Sequence, residues 1–182
     1  MGKKPCRIGD YFFESPAWSP DGRRLVFMHQ TLNEPGGNYE IAAADADGSG
    51  MTLLTSDPAD DGWPQWSPDG KRIVFTSVRD DCSFSDDQGC EEINDIGEFH
   101  TLYVMNADGT GQTRVTDEPY AQFATWSPDG KYIMFTPAPD GFYIMRPDGS
   151  GLTSIPIEGV GPQSHSSTGL LSRLTRGSAS AP

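Results

Sequence analysis

Residues 66–77 read WSPDGKRIVFTS, and nearly the same twelve residues stand at 18–29 as WSPDGRRLVFMH and at 126–137 as WSPDGKYIMFTP. The three tryptophans Trp18, Trp66 and Trp126 are 48 and 60 residues apart. A second motif follows each first one in unvarying order: YEIAAADADGSGMTLLTSDP from Tyr39, LYVMNADGTGQTRVTDEP from Leu102 and FYIMRPDGSGLTSIPIEG from Phe142. Runs such as KRIVFTS and LYVMN are rich in β-branched and aromatic residues, too short for helices, and bounded by Gly, Pro and Asp, which predicts strands. In Ser-Pro-Asp-Gly, proline presets φ and glycine accepts a positive φ, so the motif predicts a hairpin turn between strands a and b of each unit. Asp47-Gly48, Asp108-Gly109 and Asp148-Gly149 predict the second hairpin, between strands c and d. Each unit is therefore expected to be one four-stranded antiparallel sheet.

A sheet of roughly 45 residues cannot bury both faces alone, and stacking such units around an axis gives a β-propeller, whose blades have this repeat length. WSPDG followed by an apolar strand, then YVMNADGTG, then RVT resembles the TolB-type propeller repeat, found also in the propeller domains of some serine peptidases. The resemblance covers about residues 14–158. It implies a six-bladed ring, of which three units make half, so the expectation is a homodimer whose two copies complete the ring, since propellers close with about four to eight blades. The expected organisation is an N-terminal segment at 1–13, blades at about 14–57, 62–118 and 122–158, and a Ser/Gly-rich tail at 159–182. The chain shows none of the additional N-terminal domain expected of TolB itself. A piece of a longer propeller protein is the rival reading, and RLT at 173–175, an echo of LLT at 53–55 and RVT at 114–116, favours it.

Composition narrows the partners. Thirteen Lys+Arg against 26 Asp+Glu leave a formal net charge of −13, which opposes nucleic acid and anionic membranes and favours cationic partners. No apolar run of about 18 residues is present, so no membrane insertion is expected, and MGKKPCRIGD carries basic residues without the apolar stretch of a signal peptide. Catalysis has little footing: His29, His100 and His165 are scattered, no Gly-x-Ser-x-Gly elbow is present, and the Gly-rich turns lack the lysine of a phosphate loop. The hydrolase domain that carries the triad in the resembled peptidases is absent from these residues. The expected function is a non-enzymatic binding scaffold, with an accessory propeller of a larger enzyme as the alternative.

Hairpin topology places the a–b and c–d turns on one face of the ring and the longer b–c and d–a connections on the other. The longest of these is RDDCSFSDDQGCEEINDIGEFH at 79–100, and between Asp80 and Glu98 it carries eight acidic residues and no Lys or Arg. Asp80, Asp81, Asp86, Asp87, Glu91, Glu92 and Asp95 are candidates for holding a basic protein or peptide surface. Trp63, Tyr120 and Phe123, from loops on the same face, are candidate aromatic anchors. Trp63 reads as outside the repeat, whereas the recurring Trp18, Trp66 and Trp126 read as packing between blades. Cys82 and Cys90 are close enough for a disulfide that stiffens the insertion in an exported protein, leaving Cys6 over; they do not form a paired zinc pattern. That pair and the resemblance together imply an extracytoplasmic protein, periplasmic or secreted. No cofactor is expected, although Asp45, Asp47 and Ser49, and likewise Asn106, Asp108 and Asp117, imitate part of a calcium loop. A plain turn is the simpler account of both.

Overall fold

The structure, a computed structural model, describes residues 11–31, 38–79, 100–118, 120–136 and 141–155. Cys6, the tail beyond 155 and the acidic insertion, with Asp80, Asp81, Cys82, Asp86, Asp87, Cys90, Glu91, Glu92 and Asp95, lie outside the described residues.

Every described element is a strand, and the twelve fall into three four-stranded antiparallel sheets. The first holds β1 (Tyr11–Trp18), β2 (Arg24–Thr31), β3 (Tyr39–Asp45) and β4 (Thr52–Leu53). The second holds β5 (Asp61–Trp66), β6 (Arg72–Ser77), β7 (Thr101–Asn106) and β8 (Thr113–Arg114). The third holds β9 (Gln122–Trp126), β10 (Ile133–Thr136), β11 (Phe142–Met145) and β12 (Thr153–Ile155). Within each sheet the strands pair in chain order, as two successive hairpins require. The first strand starts at Tyr11, ahead of residue 14.

Each letter of Ser-Pro-Asp-Gly has a local role. The Ser19 hydroxyl donates to Asp21 Oδ1 at 2.7 Å and accepts from the Arg24 amide at 2.9 Å, while the Arg23 amide donates to the same carboxylate at 3.1 Å. Gly22 sits at φ 70°. The same bonds recur at Ser67 and Asp69, 2.6 Å, and at Ser127 and Asp129, 2.7 Å. These serine and backbone hydrogen bonds hold the carboxyls of Asp21 and Asp69 below their ordinary value and that of Asp129 at about 2.

The sheets stack face to face, with β5 packed on β1, β2 and β3, and β9 packed on β5, β6 and β7. Side chains alternate along each strand, so one face of a blade looks to the blade before it and the other to the blade after. Ala17, Val26, Ile41, Ala43 and Leu54 of the first blade thus meet Trp66, Ile73, Phe75, Tyr103 and Met105 of the second. Val74, Leu102, Val104 and Val115 meet Ala124, Trp126, Ile133, Phe135 and Met145 in the same way. Trp66 and Trp126 are each 8% exposed inside these joints, and Trp18, in the first of the three described sheets, is 61% exposed. The expectation that the repeated tryptophans pack between blades therefore holds at the two internal joints.

Candidate functional site

Each a strand carries a break in its pairing, between Glu14 and Ala17, between Gly62 and Gln65, and opposite Met134 to Thr136. At that break a residue other than glycine takes a left-handed backbone: Ser15 at φ 50°, Trp63 at 48° and Phe123 at 53°. Trp63 is thus not outside the repeat as its sequence suggests; it occupies the bulge position that Ser15 and Phe123 also occupy. Bulges re-aim a side chain at the cost of local backbone strain. In the second and third blades the side chain so aimed is a large aromatic.

The two rings meet. Trp63 and Phe123 stand edge to face with centroids 5.9 Å apart, and His100 also packs edge-on against Trp63 at 5.2 Å. Phe123 is 60% exposed while His100 is buried. Tyr120 lies on the crossover into β9, also with a left-handed backbone, φ 61°. All four belong to the end of the sheets from which the a strands start, opposite the Ser-Pro-Asp-Gly turns.

Both ends of the acidic insertion are anchored at this end. At its start, Arg79 Nη2 donates to both carboxylate oxygens of Asp61, at 2.9 Å to Oδ1 and 2.7 Å to Oδ2, while Nε donates to Ser77 and Nη1 to Gln112, and the guanidinium lies over the rings of Tyr103 and Phe75 at 4.6 and 5.6 Å. At its finish, His100 packs on Trp63, and its carbonyl accepts from the Ala121 amide at 2.9 Å. Burial pushes the Asp61 carboxyl upward and works against the charge on Arg79, yet Asp61 and Asp57 raise the guanidinium above its ordinary value. The two shifts point opposite ways for the pair, and the contact to both carboxylate oxygens decides for the charged form at neutral pH.

Beside this pair lies a polar network between the first and second blades. Glu40 accepts from Thr55 Oγ1 at 2.7 Å and from Asn38 Nδ2 at 2.9 Å, and Asn38 also donates to the carbonyls of Asp57 and Ala59. Burial pushes Glu40 up to about 7, against its two hydrogen bonds and with added repulsion from Asp61 and Asp57. Neither Glu40 nor Arg79 was singled out from sequence; the signal available was an unpaired arginine at the edge of an otherwise acidic segment.

The c–d turns look different. Asp47, Asp108 and Asp148 accept from the amides of Ser49, Thr110 and Ser150 at 2.9, 3.0 and 2.9 Å, closing the turn on itself. Asn106 donates to Thr110 Oγ1, and Asp117 pairs with Arg114 at 3.3 Å. Among the described residues, no three His, Cys, Asp or Glu side chains come together as a metal site. No helix among them is long and apolar enough to cross a membrane. On the turn end, a cavity of about 430 Å3 opens between Arg24, Trp66 and Asp69.

Three stacked four-stranded antiparallel sheets, each of the later two packed on its predecessor through its a strand, give the chain a β-propeller fold. The Tol-Pal system protein TolB of Geobacter sulfurreducens is 37% identical over 57 residues, which is 30% of this chain and 13% of that protein. A TolB-type structure from Agrobacterium tumefaciens superposes with a TM-score of 0.58 at 23% identity, covering 81% of this chain and 50% of that one. The β-propeller domain of the Trilobed protease from Pyrococcus furiosus superposes at 0.55 and 14% identity, covering 79% and 41%. No protein-family model matches. The chain therefore spans about half the length of the Agrobacterium structure, and its propeller is TolB-like.

Proposed function

We propose that this chain is a non-enzymatic protein-binding scaffold of TolB-like type, which takes its partner at the end of the propeller bearing Trp63, Phe123 and the acidic insertion. One observation carries the reading: an aromatic pair raised on strained bulges, Phe123 exposed and Trp63 half-buried beneath it, stands where both ends of an acidic 79–100 segment are tied down. Exposed aromatic rings supply most of the energy at protein interfaces, and neighbouring carboxylates favour basic partners and speed their approach. The partner is a protein or peptide with a basic surface carrying an apolar anchor. The likeness to a Tol-Pal system protein supports both a protein partner and an extracytoplasmic location, periplasmic or secreted.

Peptides selected against the wild-type chain from a displayed random library test this. Phe123→Ala, which truncates an exposed ring, is expected to weaken the selected peptides at least tenfold, and Asp148→Asn, on the opposite end, to leave them unchanged. Selected sequences should be basic, with affinity falling as salt rises. Peptides indifferent to Phe123→Ala would remove the face from the reading. The similarity to the protease propeller, of which the chain spans 41%, supports a second reading as the accessory propeller of a larger enzyme. A hydrolase domain in the same reading frame decides for it.

A further inference from the structure

The row of blades ends in two bare faces. On the third blade, Met134 and Phe142 are each 37% exposed, at the positions where the second blade has Val74 and Leu102 fully buried. On the first blade, Trp18 is exposed where Trp66 and Trp126 are buried, and Phe13 and Leu53 are exposed with it. One face is the back half of a blade joint and the other the front half.

The two internal joints show what each half needs. In both, the indole lies beneath an arginine from strand b of the preceding blade, Arg24 over Trp66 at 5.8 Å and Arg72 over Trp126 at 4.8 Å. In both, the c–d turn glycine presses on a carbonyl just past or at the end of the preceding blade's strand d. A Cβ on Gly109 would lie 2.7 Å from the Leu54 oxygen, and one on Gly149 only 2.4 Å from that of Val115. Gly48 holds the same position and the same φ, 85°, yet a Cβ there would meet nothing within 4 Å. The first blade carries a glycine shaped for a contact that the described residues do not supply.

We propose that a second copy of this chain supplies it, the third blade of each copy packing on the first blade of the other so that six blades close about a two-fold axis. The inference rests on the reading of the chain as a propeller scaffold and names the partner that completes its ring. Front-to-back pairing repeats a joint the chain already makes twice, and used twice between two copies it closes instead of extending. Three blades fall short of the four to eight that surround an axis, and six do not. By position, Trp18 of one copy then covers Tyr132 of the other, the residue standing where Arg24 and Arg72 stand, and Gly48 meets the carbonyl of Ile155. Because each copy carries a net charge of −13, mutual repulsion opposes the pairing and added salt should tighten it.

Light scattering across a concentration series on the full chain tests the joint. The wild type should give twice the 19.8 kDa chain mass, and Trp18→Asp and Met134→Lys, both at exposed positions, should each give a folded monomer. Gly48→Ala should weaken the dimer at least tenfold. Mixing the Trp18→Asp and Met134→Lys chains should restore a dimer, because one of the two joints is then wild type on both sides. A wild type that stays monomeric at every concentration overturns the proposal, whether a segment of its own chain or a blade of another polypeptide covers the faces. So does a dimer indifferent to these substitutions, or a mixture that stays monomeric. Binding of the selected peptides, measured on the same samples, separates the two readings: a monomer that still binds through Phe123 leaves the scaffold standing and removes the joint alone.

Discussion

Glu40 is where pH should reach this fold. Its ordinary value is 4.5 and burial raises it to about 7, so the folded chain holds a proton that the unfolded chain releases earlier. The associated stability is fully present below about pH 4.5 and is lost as pH rises through about 7. Glu40→Gln should flatten that fall, removing on the order of 1–3 kcal/mol of pH dependence between pH 4.5 and 7.5 in denaturant titrations; an unchanged slope would place the loss elsewhere. The ion pair beside it predicts a larger effect. Removing the guanidinium in Arg79→Met leaves the buried Asp61 carboxylate without its counter-ion, held only by the hydroxyls of Ser77 and Thr55, which should cost about 3 kcal/mol of unfolding free energy. The two buried indoles differ as well. Trp126 Nε1 donates to the Gln65 carbonyl at 3.2 Å, whereas Trp66 Nε1 is buried with no acceptor among the described residues. Trp126→Phe should therefore cost about 1 kcal/mol more than Trp66→Phe by thermal melting, since an unmade hydrogen bond is not missed. At this scale the sequence was legible where chemistry is local. Ser-Pro-Asp-Gly could be read because Ser19, Asp21 and Gly22 act within five residues of one another. Trp63 was misplaced because a left-handed bulge at a tryptophan leaves no residue signature, and Arg79 was passed over because its partner, Asp61, lies 18 residues away.

At the scale of the element, the hairpins followed from turn chemistry and the strand faces from alternation, and both appear in the register: Arg24 pairs with Asp45 and Arg72 with Asn106 across the same b–c ladder. What alternation could not supply is which face meets which blade, because the inner and outer halves of a joint are equally apolar. The c–d glycines expose that difference. Gly109→Ala and Gly149→Ala push a methyl group into a backbone carbonyl in addition to the unfavourable φ, while Gly48→Ala in the monomer meets only the φ cost. Thermal melting of the monomeric chain should show the first two destabilised by about 2 kcal/mol or more and the third by about 1 kcal/mol or less. Equal losses at all three would mean that the turns do not bear on their neighbours.

For the whole molecule, three copies of one motif made the propeller readable, since a sheet with two apolar faces must be stacked. The candidate end was readable only in outline. The long acidic segment lies outside the described residues, and the meeting of Trp63, Phe123 and His100 depends on how the second and third blades pack, which no spacing in the chain encodes. Charge belongs to this scale too: under the proposed reading, a net −13 bears on the choice of partner more than any single carboxylate does. Ring closure is the most exposed consequence of reading the chain as three blades, and a crystal structure of the wild-type chain tests it most directly. Two chains about a two-fold axis, with six blades and Trp18 as buried as Trp66, is the predicted result. An open arc of three blades with Trp18 in solvent, or Trp18 covered by a segment of its own chain, would contradict it.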